Sequence, residues 1–158
     1  NRASVEFDPS LIDPEQITLV AGCFANPATR IATLIRKITD AGDLVNPNVV
    51  KVVTDKNGSA LYFSRSAIPH TRGKETGDWL KSTACYKHIG IYGYGVPVLK
   101  ELVDLPPSPL ELAESLEQLR WLEAGYRIQT QITEYEGIAI DTPDDLLKIT
   151  NRNGTFFQ

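Results

Sequence analysis

The stretch SPLELAESLEQLRWLEAGYRIQTQIT, residues 108–133, joins a helix signal directly to a strand signal. Ser108 precedes a proline, and Glu111 follows it three residues later, which is the capping-box pattern of a helix start. The spacing predicts a helix that runs to Ala124, before a glycine, and then a strand over residues 126–133. A helix followed at once by a strand favours an α/β fold.

The rest of the chain alternates helix and strand signals in the same way. A hairpin is predicted for residues 49–53 and 60–63, because Asn57-Gly58 between them supplies the positive φ of a hairpin loop. The remaining predictions, in chain order, are a helix over residues 13–25, a strand over residues 29–38, a polar surface loop over residues 72–82, strands over residues 86–94 and 137–140, and a helix over residues 143–149. Together they predict one α/β domain over residues 1–158, a mixed sheet with flanking helices.

Length, composition and charge exclude several classes of protein. With 158 residues, 42% of them hydrophobic, the chain can bury one core. Its 16 basic and 20 acidic residues give a net charge of -4 without a basic block, which argues against nucleic-acid binding. We expect a soluble, cytoplasmic protein, because no apolar run reaches the roughly 18 residues of a membrane span and the start is unlike a signal peptide. Cys23 and Cys85 are predicted to be buried free thiols.

An aspartate lies where the last predicted strand turns into the last predicted helix. In GIAIDTPDDLL, residues 137–147, Asp141 directly follows the strand and precedes Pro143. Asp141 can cap the helix, which is the simpler interpretation. It can also bind Mg²⁺, because the carboxyl ends of strands in open α/β sheets meet at the ligand crevice and carboxylate oxygens suit this ion. One carboxylate can perform both roles.

A helical wheel over residues 108–124 places a charge at the edge of the apolar stripe. Leu112, Leu116 and Leu119 form the predicted core stripe, and Glu117 falls on its margin. We expect the Glu117 carboxylate to be partly buried. It then either reaches out to water or is held by a partner or a ligand.

Two further side chains are candidates for ligand contacts. Alternation along residues 86–94 places His88 on one strand face with three tyrosines, among them Tyr92. A lone histidine in a strand is more often a hydrogen-bonded core residue, but this face would suit a polyhydroxylated ligand. Arg65 is either a surface arginine or a donor fork for a carboxylate or phosphate.

Four ordered motifs carry a family resemblance. They are ALYFSRSAIP at residues 60–69, YKHIGIYGY at residues 86–94, SPLELAESLEQLRWLEAGYRI at residues 108–128 and GIAIDTPDDL at residues 137–146. In this order and spacing the chain resembles the 3-deoxy-manno-octulosonate (Kdo) cytidylyltransferases, the CMP-Kdo synthetases, over residues 11–148.

The resemblance implies a fold and a reaction. The fold would be part of a Rossmann-like nucleotidyltransferase, matching the family's C-terminal sugar-binding and dimerisation portion. The family uses CTP and Mg²⁺ to activate Kdo, giving CMP-Kdo and pyrophosphate for lipopolysaccharide synthesis, and forms homodimers. By matching positions, Asp141 is the implied catalytic metal ligand, and the implied sugar-binding residues are Arg65, His88, Tyr92, Glu117 and Gln118.

The sequence departs from the family pattern near its start. The resemblance begins near residue 5, without a counterpart of the family's phosphate-binding loop. Asp8 aligns with a second magnesium ligand, but Phe7 stands where the family has glycine. Two hypotheses follow: a CMP-Kdo synthetase, or a non-catalytic fragment that keeps a sugar-acid pocket or dimer surface without CTP binding. A cytidylyltransferase for another sugar acid is a weaker third. An unpaired sheet edge would also favour marginal stability or self-association.

Overall fold

The computed structural model describes the backbone of residues 3–7 and, with side chains, residues 13–135. The strand predicted at residues 137–140 and the helix predicted at residues 143–149 lie outside these ranges. Within the described ranges, no helix is long and apolar enough to cross a membrane.

The strands are β1 (Ala3–Phe7), β2 (Ile31–Lys37), β3 (Lys51–Thr54), β4 (Ala60–Ser64), β5 (Tyr86–Gly95) and β6 (Ile128–Ile132). The helices are α1 (Pro14–Gly22), α2 (Ala41–Val45), α3 (Trp79–Ser82), α4 (Val96–Val103), α5 (Pro109–Glu114) and α6 (Gln118–Glu123), with 3-10 turns at Cys23–Ala25 and Thr76–Asp78.

Strand β5 lies at the centre of a mixed sheet. Strand β2 runs antiparallel along one edge of β5. Strands β3 and β1, both antiparallel to β5, share its other edge, β3 at the start of β5 and β1 at its end. The main order is β4-β3-β5-β2-β6, and β2 and β6 are parallel. The predicted α/β fold with a mixed sheet is therefore confirmed, as are the predicted hairpin and the strand over residues 29–38.

The β2–β5 pair contains a register shift that leaves the two faces of the sheet unmixed. Thr33 pairs with Tyr92, but the next residue, Leu34, pairs with Ile89. The shift passes over two residues of β5, so the alternation of its side chains is kept. One face packs in a cluster that includes Ile35, Phe63, Tyr94, Leu119, Trp121 and Ile128. The other packs Ala32, Leu34 and Ile91 against Val20 of α1.

The single helix predicted over residues 108–124 is wrong, because it breaks into α5 and α6. The capping box at Ser108 is present, as predicted, but Ser115 adopts a left-handed conformation with a φ of 52°. In a continuous helix, the carbonyls of Glu114 and Ser115 would accept from backbone N–H groups four residues later. Here they accept from the Arg65 guanidinium, at 2.7 and 3.3 Å. Tertiary contacts thus outweigh the roughly 1–2 kcal/mol cost of the left-handed residue.

The break also changes which leucines are buried. Leu116 and Leu119 lie in the core as predicted, but Leu112 is 70% exposed. The predicted stripe assumed one continuous helix with about 100° per residue. Because the chain changes direction at Ser115, the side chains before it no longer follow the orientation of those after it.

The predicted polar loop over residues 72–82 contains helical structure. A 3-10 turn at Thr76–Asp78 leads into α3. Trp79 is buried, and its indole N–H donates to the Lys74 carbonyl at 3.0 Å. Trp79 packs in a third cluster, which includes Cys85. The buried indole therefore anchors a segment whose mostly polar composition predicted a surface loop. Cys85 is a buried free thiol and Cys23 a half-buried one.

The tip of the β3–β4 hairpin reaches across to the opposite edge strand, β6. The Gly58 carbonyl accepts from the Thr130 backbone N–H at 2.8 Å and from the Thr130 hydroxyl at 2.7 Å. The Gln129 side-chain amide donates to the Asn57 carbonyl at 3.1 Å. The sheet therefore curls until its two edges are linked through the hairpin tip.

Candidate functional site

The candidate site is the aromatic face of β5. The rings of His88 and Tyr92 lie 5.1 Å apart, and Tyr92 stacks on Tyr94 at 5.9 Å. The edge of Trp121, from α6, meets Tyr92 at 5.2 Å, and Phe63, from β4, meets His88 at 5.3 Å. The prediction that these β5 side chains share one face is therefore confirmed. Three aromatic neighbours, Phe63, Tyr94 and Trp121, hold the two predicted sugar-binding rings in fixed orientations.

The hydroxyl of Tyr92 is buried and has no hydrogen-bond partner in the part of the chain that the structure describes. Among the described residues, the Tyr92 hydroxyl and the Thr71 hydroxyl are the buried side-chain polar atoms that lack a hydrogen bond. Burial raises the pKa of Tyr92 well above its ordinary value, with further contributions from Tyr94 and Glu117. The phenol therefore keeps its proton and can donate it to an acceptor. An unpaired buried hydroxyl costs about 1–3 kcal/mol, so it is an unusual feature for the fold alone.

His88 is held by a hydrogen bond to β2. Its Nε2 lies 2.9 Å from the hydroxyl of Thr33, a fully buried residue. Burial lowers the pKa of His88 from 6.5 to about 4. The imidazole is consequently neutral near pH 7, with one nitrogen able to donate and the other able to accept.

Glu117 and Gln118 lie at the start of α6, beside the aromatic face. Gln118 is buried, and Trp121 follows it by one helical turn. The Glu117 side chain is 64% exposed and lies 3.9 Å from the Arg120 guanidinium. The expected partial burial of Glu117 is therefore wrong, because the break at Ser115 turns its carboxylate towards solvent. The carboxylate reaches solvent, as one of the two alternatives has it, and its predicted contact with a sugar stays a prediction.

Arg65 uses its guanidinium to bind the protein itself. Besides the carbonyls of Glu114 and Ser115, it donates to the Pro47 carbonyl at 3.0 Å. Its own carbonyl accepts from the buried ammonium of Lys51, whose pKa is lowered by burial. The structure thus places Arg65 at the break between α5 and α6, where each of its three guanidinium nitrogens donates to a backbone carbonyl. Its predicted sugar contact stays a prediction.

The two predicted metal ligands are not among the described side chains. Asp8 and Asp141 lie outside residues 3–7 and 13–135. Within the described ranges, no group of three or more His, Cys, Asp or Glu side chains could hold a metal ion. Magnesium binding therefore stays a prediction for Asp8 and Asp141.

Two residues that shape the site, Thr33 and Trp121, were not among those predicted from the sequence. Thr33 stands in the middle of the apolar run IATLI, where nothing in the pattern pairs it with His88. Trp121 follows Glu117 by four residues and Gln118 by three, a spacing that places all three on neighbouring helix faces. The spacing of Trp121 could have been noticed, whereas the partner of Thr33 depends on strand pairing.

A match to a family model defines the class of protein. The family model described as Cytidylyltransferase matches residues 5–131. The chain therefore belongs to the cytidylyltransferase family.

The relatives are more specific. The chain is 54% identical over 149 residues to the 3-deoxy-manno-octulosonate cytidylyltransferase of Parabacteroides distasonis, which covers 92% of this chain and 59% of that protein. It is 52% identical over 146 residues to the protein of the same name from Bacteroides thetaiotaomicron, with 90% and 58% covered. A solved structure of CMP:2-keto-3-deoxy-manno-octonic acid synthetase complexed with CTP matches with a TM-score of 0.84 and 37% identity, covering 95% of this chain and 61% of that one. The predicted resemblance is confirmed, and the chain spans about three fifths of the length of these relatives.

Proposed function

We propose that this chain forms the sugar-acid pocket of a cytidylyltransferase that activates Kdo with CTP. In the reaction, the anomeric hydroxyl of Kdo attacks the α-phosphorus of CTP and loses its proton. The bond from that phosphorus to the pyrophosphate oxygen breaks, which gives CMP-Kdo and pyrophosphate. The proposal is supported by the 54% identity to a relative of that name and by the aromatic face of β5.

The observation that carries the sugar-binding part is the Tyr92 hydroxyl, which has no partner within residues 13–135, beside a neutral His88. A sugar hydroxyl both donates and accepts, so it can satisfy a phenol and an imidazole at once. Because the Tyr92 oxygen is buried, the sugar can reach it only when the side chains that cover it move. The cost of the unpaired hydroxyl would then be recovered in the complex.

Of the other residues predicted to bind the sugar, we propose that Gln118 and Glu117 contact it directly and that Arg65 mainly supports the fold. Gln118, buried beside Trp121, would offer an amide that can both donate and accept. Glu117 would accept from sugar hydroxyls at the exposed rim of the pocket. Arg65 would act mainly as the support that fixes the start of α6, because its guanidinium already binds three carbonyls.

We also propose that Asp141 and Asp8 bind Mg²⁺. Carboxylate oxygens at these positions would hold the ion, which would neutralise charge on the α-phosphate during the displacement. We propose that the enzyme works in the cytoplasm and that its product, CMP-Kdo, is used for lipopolysaccharide synthesis.

We also propose a homodimer through the β3–β4 hairpin region, where Leu61 on edge strand β4 is 61% exposed.

A second candidate is binding of the sugar acid, or dimer formation, without turnover. The chain spans about three fifths of the length of its relatives. Catalysis by this chain, as distinct from its full-length relatives, is therefore proposed. The two candidates share the pocket on β5 and differ in whether pyrophosphate is released.

Pyrophosphate release by the purified chain with CTP, Kdo and Mg²⁺ tests the proposal. We expect release that Asp141→Ala abolishes and that Asp104→Ala, a matched change at an exposed aspartate, leaves unchanged. A folded chain that binds Kdo without releasing pyrophosphate would favour the second candidate. A folded chain that neither releases pyrophosphate nor binds Kdo would contradict the proposed sugar pocket.

A further inference from the structure

The hydroxyl of Thr33 lies between a histidine and two backbone carbonyls. Its Oγ1 is 2.9 Å from His88 Nε2, 2.7 Å from the Ile91 carbonyl oxygen and 3.4 Å from the Ile89 carbonyl oxygen. Thr33 occupies this position because the β2–β5 register shifts immediately after it. The contact is therefore built into the irregular part of the sheet.

The Thr33 hydroxyl has one hydrogen, so it can donate a hydrogen bond either to a carbonyl or to His88, but not to both. A carbonyl oxygen can only accept, and two oxygens 2.7 Å apart repel each other unless a proton lies between them. The Thr33 hydroxyl consequently donates to the Ile91 carbonyl. Its oxygen must then accept from His88, so Nε2 carries the imidazole hydrogen.

We propose that Thr33 is a positioning residue that fixes His88 as its Nε2–H tautomer, so that Nδ1 accepts a hydrogen bond from a hydroxyl of the bound sugar acid. The ligand part of this inference rests on the proposed function. In a neutral imidazole, a hydrogen on Nε2 leaves the lone pair on Nδ1. Without the Thr33 hydroxyl, the imidazole hydrogen would be free to exchange between Nε2 and Nδ1, so that neither tautomer is fixed.

Two features of the surroundings support this arrangement. Burial lowers the pKa of His88 to about 4, so Nδ1 stays unprotonated near pH 7. The Tyr92 ring lies 5.1 Å from the His88 ring between centroids, and its buried hydroxyl has no hydrogen-bond partner among the described residues and keeps its proton. The pocket therefore offers one acceptor and one donor from neighbouring rings, which is a suitable pair for a polyhydroxylated ligand.

The tautomer can be read directly from the nitrogen resonances. The chain contains two histidines, His70 and His88, so a long-range ¹H–¹⁵N spectrum of the free labelled chain is simple, and His70→Gln assigns it. At pH 7 we expect Nε2 of His88 to be protonated and Nδ1 to be unprotonated. Protonation of Nδ1 instead would overturn the inference.

Variants at Thr33 test its role. Thr33→Val keeps the shape but removes the hydroxyl, and we expect averaged nitrogen shifts for His88 and roughly three- to tenfold weaker Kdo binding. Thr33→Ser should restore both. Thr130→Val is the matched control, because Thr130 pairs with Thr33 across β2 and β6 and also donates to a carbonyl at 2.7 Å, but that carbonyl belongs to Gly58. A Thr33→Val chain that folds and keeps the wild-type His88 pattern would overturn the inference.

Addition of Kdo separates this inference from the proposed function. We expect the Nδ1 resonance of His88 to shift as Kdo binds, while Nε2 stays protonated. Kdo binding that leaves Nδ1 unchanged would overturn the ligand part alone. Absence of Kdo binding to the wild-type chain would overturn that part together with the proposed pocket, whereas the spectrum of the free chain would still decide the role of Thr33.

Discussion

Arg65 and Glu114 bind each other through both their side chains and their backbones. The Glu114 carboxylate accepts from the Arg65 backbone N–H at 2.9 Å, and the Arg65 guanidinium donates to the Glu114 carbonyl at 2.7 Å. The same carboxylate accepts from the Ser64 hydroxyl at 2.6 Å. This reciprocal pair ties the end of β4 to the end of α5. It therefore fixes the point from which α6 begins and carries Gln118 to the aromatic face.

Arg65→Lys should destabilise the fold. Lysine keeps the charge but cannot reproduce the planar fork that binds Glu114, Pro47 and Ser115. We expect the free energy of unfolding to fall by about 2 kcal/mol in urea titrations at pH 7. Arg127→Lys, at an exposed arginine, is the matched control and should change it by less than about 0.5 kcal/mol. Equal effects of the two changes would contradict the role given to Arg65.

Gly93→Ala should destabilise the packing of α1 on β5. A methyl group at Gly93 would lie 2.7 Å from side-chain carbons of both Phe24 and Val20. We expect a loss of about 1–3 kcal/mol in the free energy of unfolding, because a packed core accommodates an added methyl poorly. Gly90→Ala in the same strand is the control, since nothing lies within 4 Å of its added carbon. If both variants unfold alike, the close approach at Gly93 does not limit stability.

The Gly58→Ala change tests the link between the hairpin tip and β6. Gly58 has a φ of 78°, and its added carbon would lie 3.0 Å from the Gln129 amide nitrogen. Gly73 has a similar φ of 76° but open space around it, so Gly73→Ala measures the backbone strain alone. We expect Gly58→Ala to lower the melting temperature more than Gly73→Ala does. The reverse order would show that the tip contact adds nothing to stability.

His88 should make stability depend on pH. Its folded pKa of about 4 is below the ordinary value of 6.5, so the unfolded chain binds more protons between these values. The stability from a neutral His88 is therefore complete above pH 6.5 and is lost as the pH falls towards 4. The loss amounts to at most about 3 kcal/mol, from the difference between the two pKa values.

Comparison with a His88→Gln chain isolates this effect. Depressed carboxyl pKa values, such as that of Glu111 beside Arg120, also reduce stability as the pH falls. We therefore expect urea titrations to show a larger loss between pH 6.5 and pH 4 for the wild type than for His88→Gln. Identical losses, or a nuclear magnetic resonance titration of His88 with a midpoint near 6.5, would contradict the burial of a neutral imidazole.

Local patterns in the sequence predicted the sheet better than the helices. Asn57-Gly58 predicted the hairpin, and alternation predicted the shared face of His88 and Tyr92, which the even register shift preserved. The break at Ser115 was not predictable in this way, because its causes are the long-range hydrogen bonds from Arg65. The capping box and leucine spacing satisfy a continuous helix equally well. The Thr33–His88 contact likewise depends on strand pairing rather than on spacing along the chain.

The affinity of the Tyr92→Phe chain for Kdo, measured by titration calorimetry beside the wild type, is the most direct test of the proposed pocket. The change removes a buried hydroxyl that has no partner among the described residues, so we expect the fold to be as stable as before or up to about 1–2 kcal/mol more stable. Kdo binding should nevertheless weaken about tenfold, because the lost hydroxyl is the donor that the sugar satisfies. Unchanged Kdo affinity in a folded Tyr92→Phe chain would contradict the placement of the sugar on this face of β5.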